Sequence, residues 1–139
     1  MKVRVALDNG AYMPQKAHEE DAGFDIRTPE EVYVGGLGSA IIDTGVHMEI
    51  PKGYVGFLKS KSGLNVRASL QGEGVIDSGY TGSIVVKLYN NSSKSYRFER
   101  GDKIIQIVLL PIPEVELIKV DKLDENTERG NGGFGSTGR

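Results

Sequence analysis

The chain has 139 residues, enough for one domain with a core of its own. With no cysteine it can form neither a disulfide nor a thiolate metal site, and a net charge of −2 lacks the basic excess of a duplex-DNA binder. No stretch approaches the ~20 apolar residues of a membrane span. The opening Met1-Lys2-Val3-Arg4-Val5 is not followed by the long apolar run of a signal peptide, so a cytoplasmic protein with no membrane role is expected.

Short runs of β-branched residues dominate, punctuated by Gly, Pro, Asp and Asn. Val3 to Leu7 reads as a strand, and Glu31 to Val34 as another, ended by Gly35-Gly36. Ala40 to Ile50 reads as two strands or one bent one, followed by a Pro51-Lys52-Gly53 turn. Tyr54 to Lys59 resumes the strand pattern. The alternation predicts a strand over Ser83 to Asn90, with Ile84, Val86 and Leu88 on one face and Val85, Lys87 and Tyr89 on the other. Lys103 to Leu110 is apolar on both faces apart from Gln106, so a buried strand is predicted. Leu117 to Val120 is expected as a last strand. Helical signal is confined to about two turns around Leu64 to Leu70. Many short strands separated by turn signals predict a sandwich, barrel or jelly roll.

The composition changes after Val120. Asp121 to Gly130 is charged and polar, and Gly130 to Gly138 is mostly Gly, Asn, Ser and Thr. Such a tail cannot bury enough apolar area to order itself. Arg129 and Phe134 lie inside it, and a bare flexible tail needs neither.

Five stretches carry chemistry. Asp21-Ala22-Gly23-Phe24-Asp25-Ile26 alone is a turn leading into a strand. Lys59-Ser60-Lys61-Ser62-Gly63-Leu64 can offer an ammonium, a hydroxyl and backbone N–H groups to phosphate, but it lacks the spaced glycines of a phosphate loop, and taken alone a solvated turn explains it better. Gly72 to Gly82 has glycine at 72, 74, 79 and 82, which predicts a tight hairpin whose backbone approaches a ligand. Asp77 ends an apolar pair there, as a buried carboxylate on a strand would, and such a group can deprotonate a water. An ordinary Asp-Ser-Gly turn is the plainer alternative. Gln106 puts an amide inside an apolar strand, where it must bond backbone or ligand. Arg129-Gly130-Asn131-Gly132-Gly133-Phe134-Gly135-Ser136-Thr137-Gly138 supplies a guanidinium for phosphate, an aromatic for a base and successive small residues whose N–H groups can wrap a phosphate chain.

In order and spacing these stretches resemble the five motifs of the trimeric deoxyuridine triphosphate nucleotidohydrolase (dUTPase) family, from Ala22 to Gly138. The most specific pieces are Gly-Val-Ile-Asp-Ser-Gly-Tyr-Thr-Gly at 74–82 and Arg-Gly-x-Gly-Gly-Phe-Gly-Ser-Thr-Gly at 129–138. The resemblance implies an all-β, jelly-roll-like distorted β-barrel over residues 1–120. It implies a flexible glycine-rich C-terminal arm over 121–139, which closes a site built by two other subunits of a homotrimer. The implied reaction is hydrolysis of dUTP to dUMP and pyrophosphate. That activity keeps uracil out of DNA and supplies dUMP for thymidylate synthesis.

The resemblance also implies roles by position. Asp77 matches the aspartate that activates the attacking water. Gln106 places the α-phosphate or the water, and Asp25 supports the site near metal-bound water. Lys61, Ser62 and Gly63 hold phosphates. The hairpin from Leu70 to Val75 reads uracil through its backbone at Gly74 and Val75, with Gln71 adding a side-chain contact. Tyr80 packs on the deoxyribose and excludes a 2′-hydroxyl. Arg129 grips the terminal phosphate and Phe134 stacks on uracil. Gly135, Ser136 and Thr137 complete the arm's hold on the nucleotide. Mg²⁺ rides on the triphosphate with no direct protein ligand. For a phage-encoded member, a repressor-protein partner is implied as well.

Two departures stand out. Lys61 replaces the Arg common before Ser-Gly-Leu, keeping the charge without the bidentate fork. Arg67-Ala68-Ser69 stands where many members have a basic-His-Gly stretch. A deoxycytidine triphosphate deaminase, the nearest rival, needs an acid on the strand after the hairpin, and Ser83 to Leu88 has none. A structural jelly roll would leave Asp77 and Arg129 without a task.

Overall fold

The period-two pattern governs the architecture. In the computed structural model, which describes residues 1–135, Thr137 and Gly138, eleven strands and one helix occur among the described residues. In chain order they are β1 Arg4–Leu7, β2 Gly23–Arg27, β3 Val32–Val34, β4 Ser39–Asp43, β5 Val46–Glu49 and β6 Tyr54–Lys59. Next come α1 Ser62–Ala68, β7 Leu70–Gln71, β8 Glu73–Ile76, β9 Val85–Asn90, β10 Tyr96–Phe98 and β11 Lys103–Pro111. The fold is all-β and jelly-roll-like, as expected.

All strand pairings are antiparallel. A four-stranded sheet runs β2-β11-β6-β8 and a three-stranded sheet runs β4-β9-β7. Two ribbons, β1-β5 and β3-β10, complete the described sheets. The inward faces form one core. Ile84, Val86 and Leu88 are buried as the alternation predicts, beside Ile42, Ile26, Phe98, Ile104, Ile105 and Ile107. Val85, Lys87 and Tyr89 face outward. Such burial contributes roughly 1.5–3 kcal/mol per large aliphatic side chain. Ala40 to Ile50 resolves into two strands, β4 and β5, parted at Thr44-Gly45.

Two expectations are corrected. Leu70 to Val75 is not a hairpin: β7 pairs with β9, whereas β8 pairs with β6. The chain changes sheets at Gly72. A side chain there is excluded, since a Cβ would lie 2.9 Å from Leu88 Cδ2 and 3.0 Å from both Ile105 Cδ1 and the Lys87 carbonyl. Ser60 clamps the switch, its Oγ donating to the Gly72 carbonyl at 3.0 Å and lying 3.0 Å from the Gly72 N–H. Second, Leu117 to Val120 forms no strand. β11 ends at Pro111; the Ile112 N–H still donates to the Gly53 carbonyl at 2.8 Å, and among the described residues no strand follows.

The helix lies two residues earlier than expected, at Ser62–Ala68. It ends at Ser69, which takes the left-handed conformation (φ 55°) that closes a helix. Ser69 holds the position of the glycine noted in the family pattern, and the turn is made regardless of the missing glycine.

Gly72→Ala is expected to destabilise the fold by about 1–3 kcal/mol through overpacking at the sheet switch. Urea denaturation checks this, and an unchanged midpoint would contradict it.

Candidate active site

Asp25 sits on β2 and is 6 % exposed. A carboxylate so buried is costly unless paired. Lys61, just before α1, donates to one of its oxygens, and Lys103 Nζ lies 2.7 Å from the other. Burial pushes the carboxyl up, but the hydrogen bonds from Lys103 and Lys61 outweigh it and hold Asp25 below the usual carboxylate range.

Lys103 reaches that position through a register shift. Gln106 pairs with Asp25 and Ile105 with Ile26, yet Lys103, not Ile104, pairs with Arg27. In a regular strand, residues three apart point to opposite faces. The irregularity between Lys103 and Ile105 brings Lys103 onto the face of Asp25 and Gln106. Gln106 is half-buried and donates through Nε2 to the Ser60 carbonyl at 3.2 Å. A Cβ on Gly23 would collide with the Gln106 amide, so glycine makes room for that side chain.

These groups border one cleft of about 280 Å³. Lys61, Ser62, Gly63, Asp25, Lys103 and Gln106 line it, together with His18 and Asp21. No side chain caps α1, so the first amides of the helix remain available to an oxyanion. Two ammonium groups, amide donors and a glutamine suit a polyphosphate. Both Asp25 oxygens are already engaged by lysine. Among the described residues, no three His, Cys, Asp or Glu side chains cluster to hold a metal.

The other expected residues lie elsewhere. Asp77 follows β8 and is exposed, not buried, because the strand ends at Ile76 and the chain turns outward. Tyr80 is also exposed; its N–H donates to the Asp77 carbonyl at 3.0 Å and its hydroxyl to the Ser83 carbonyl at 2.8 Å. Val75 projects outward, Gly74 pairs with Leu58, and the Gln71 amide oxygen accepts from Asn91 at 3.3 Å. Glu73 pairs with Lys59, beside the cleft, and Ile76 with Gly56. Four residues of strand thus separate the cleft from Asp77, about 13 Å. One chain does not bring Asp77 and Tyr80 together with Lys61, Ser62, Gly63 and Gln106.

The arm stands apart from both. Arg129 Nε donates to the Gly132 carbonyl at 2.9 Å, and the Gly138 N–H to Gly135 at 3.1 Å. Phe134, Gly135 and Thr137 are exposed, and Ser136 lies outside the described residues. Sequence reasoning missed Lys103 and Gly23. Lys103 was visible only as the head of a strand, because a bulge leaves no mark in hydrophobic alternation.

Known proteins resemble the chain over its length. The dUTPase family model matches residues 9–138. The deoxyuridine 5'-triphosphate nucleotidohydrolase of Eremothecium gossypii is 39% identical over 140 residues, covering 99% of this chain and 90% of that protein. The same enzyme of Clostridium acetobutylicum is 38% identical over 135 residues, covering 95% and 92%. A mutant dUTPase of Staphylococcus bacteriophage 80alpha, solved with dUpNHpp, superposes with a TM-score of 0.88 at 33% identity, covering 99% of each chain. A dUTPase of phage phi11 of S. aureus, solved to reveal the coordination of a structural Mg(II) ion, reaches 0.81 at 31% identity, covering 88% and 98%.

The lysine-held carboxylate has a pH signature. Because the folded pKa of Asp25 is depressed, its stabilisation is present above the unfolded value of about 3.9 and is lost as pH falls through the folded one. Denaturation midpoints of the wild type should drop below about pH 4 more steeply than those of Asp25→Asn, which is already weakened at neutral pH. Parallel acid profiles would contradict the pairing.

Proposed function

This chain belongs to the dUTPase family, and we propose that it splits dUTP into dUMP and pyrophosphate by attack of a water on the α-phosphorus. That it is an enzyme hydrolysing dUTP follows from the family and its relatives. The observation that carries the finer reading is the cleft in which Lys61 and Lys103 flank Asp25 beside the open start of α1. It offers positive charge and N–H donors to a triphosphate.

Lys61 and the groups of Ser62 and Gly63 bind the phosphates, and Gln106 orients the α-phosphate or the water. Asp77 takes a proton from the water as its oxygen bonds the α-phosphorus; the bond to the bridging oxygen breaks and pyrophosphate leaves. Tyr80 packs on the deoxyribose, where a 2′-hydroxyl would clash. The backbone past Gly72, at Gly74 and Val75, reads uracil beside Gln71. Such polar readout discriminates strongly, because a wrong base leaves buried groups unpaired. Mg²⁺ would be held by the triphosphate and by water near Asp25, and would supply charge neutralisation and fix the phosphate conformation.

The site is completed by other subunits. Asp77 and Tyr80 of one copy meet the Lys61–Gln106 cleft of another in a homotrimer. Exposed Val115, Leu117, Ile118 and Val120 support this, since such apolar runs belong in an interface. The core spans 1–120, and the arm 121–139 closes the site as a lid: Arg129 on the terminal phosphate, Phe134 over uracil, and Gly135, Ser136 and Thr137 along the nucleotide. The product reading places the protein in the cytoplasm, limiting uracil in DNA and supplying dUMP. Were the chain phage-encoded, a repressor-protein partner would be a further role; phage dUTPases, the 80alpha enzyme among them, are described as controlling transfer of virulence genes by a proto-oncogenic G protein-like mechanism.

Pyrophosphate release with Mg²⁺ should be fast from dUTP and at background from dCTP, dTTP and UTP. Asp77→Asn should lower kcat by about 10²-fold or more while nucleotide affinity persists. Equal release from all four nucleotides, or full turnover by the variant, would overturn the mechanism.

A further inference from the structure

His47 makes two hydrogen-bond contacts that a neutral imidazole cannot satisfy together. It lies on β5, with a side chain 29 % exposed. Nδ1 is 2.8 Å from the Thr81 carbonyl oxygen, and Nε2 is 3.2 Å from Asp8 Oδ1. A carbonyl and a carboxylate both accept, and neutral imidazole has one N–H to give. Only the imidazolium donates to both.

We propose that His47 is a positioning residue, whose imidazolium clasps the loop carrying Asp77 and Tyr80 and whose deprotonation loosens it. The proposal rests on the assignment of that loop to the nucleotide site. Thr81 adjoins Tyr80, whose ring lies over Gly82: a Cβ there would come within 2.6 Å of the hydroxyl. The far end of the loop is tied down separately. Ser83 Oγ bonds the Asp43 carboxylate and lies 3.0 Å from the Gly45 N–H, and the Ile84 N–H donates to Val46 at 2.8 Å. His47 thus governs the middle of the loop, where the aromatic ring sits, and not its attachment to the core.

The surrounding charges agree with a protonated ring. Asp8, past β1, and Asp43, at the end of β4, face it, while Arg4 on β1 is paired with Glu49 on β5. Tyr80, next to Thr81, is a further titratable group on the loop. The bond to Thr81 and then that to Asp8 raise the His47 pKa above its ordinary value, with both aspartates adding to the effect against desolvation. With the folded pKa raised, the clasp is fully present below about pH 6.5 and is lost as pH rises through the folded value.

The test is kcat/KM for dUTP from pH 5.5 to 8.5 for the wild type, His47→Gln and Asp8→Asn, with the His47 ring titrated by NMR. The ratio of wild type to His47→Gln cancels the ionisation of substrate and of Asp77. It should fall from about two- to tenfold at the acid end, the worth of one hydrogen bond, to about one at the alkaline end. The change should lie mainly in KM, with the midpoint at the NMR value. Asp8→Asn should move both midpoints to lower pH. A pH-independent ratio, a His47 midpoint at or below that of a free histidine, or no shift in Asp8→Asn would overturn the proposal. The NMR arms need only wild type and the Asp8 variant, so they stand if His47→Gln fails to fold. Full turnover by Asp77→Asn would instead remove the loop from the site, whatever the His47 midpoint.

Discussion

The charge balance around Asp25 ties three distant parts of the chain together. A carboxylate on β2, a lysine before α1 and a lysine at the head of β11 meet where neither sign could be buried alone. That meeting places two ammonium groups on the lining of the cleft. Gln106 and Ser62 then sit at fixed offsets, because β11 is paired with β2 on one side and β6 on the other. Both oxygens of Asp25 are thereby engaged by lysine.

The second constraint is distance. The cleft and the Asp77–Tyr80 loop flank opposite ends of β8, and no rotamer spans a strand. A chain that carries both halves yet keeps them apart fits the proposed site shared between subunits. The outward apolar residues after Pro111 point the same way, as does an arm whose described hydrogen bonds all lie within itself. The sheet change at Gly72 links the two constraints. It carries the chain from the β9 edge to the β6 edge and so delivers Asp77 to the outer surface.

Local features were the legible ones. Tyr54–Lys59 and the buried face of Ile84, Val86 and Leu88 follow from alternation alone, and the short helix lies within two residues of its expected place. The family motifs identified Lys61, Ser62, Gly63 and Gln106, which the structure brings into one cleft, together with Asp25. What escaped was long-range or irregular. A bulge turned Lys103 to the site, a glycine-permitted sheet change replaced an expected hairpin, and Asp77 came out exposed because its strand stops one residue before it. Leu117 to Val120 has strand-like composition but is exposed and unpaired in any described sheet. The contact between His47 and Thr81 spans 34 residues and leaves no periodic trace.

The account turns on a site divided between subunits, and mixing inactive variants tests that most directly. Asp77→Asn and Lys61→Ala, each inactive alone, would be unfolded together, refolded as mixed assemblies and assayed for pyrophosphate release from dUTP. A divided site predicts recovery, because about one site in three of a mixed trimer combines an intact Asp77 with an intact Lys61 from a different chain. Activity no higher than the sum of the two separate variants would place both residues in the same chain's site and contradict the account.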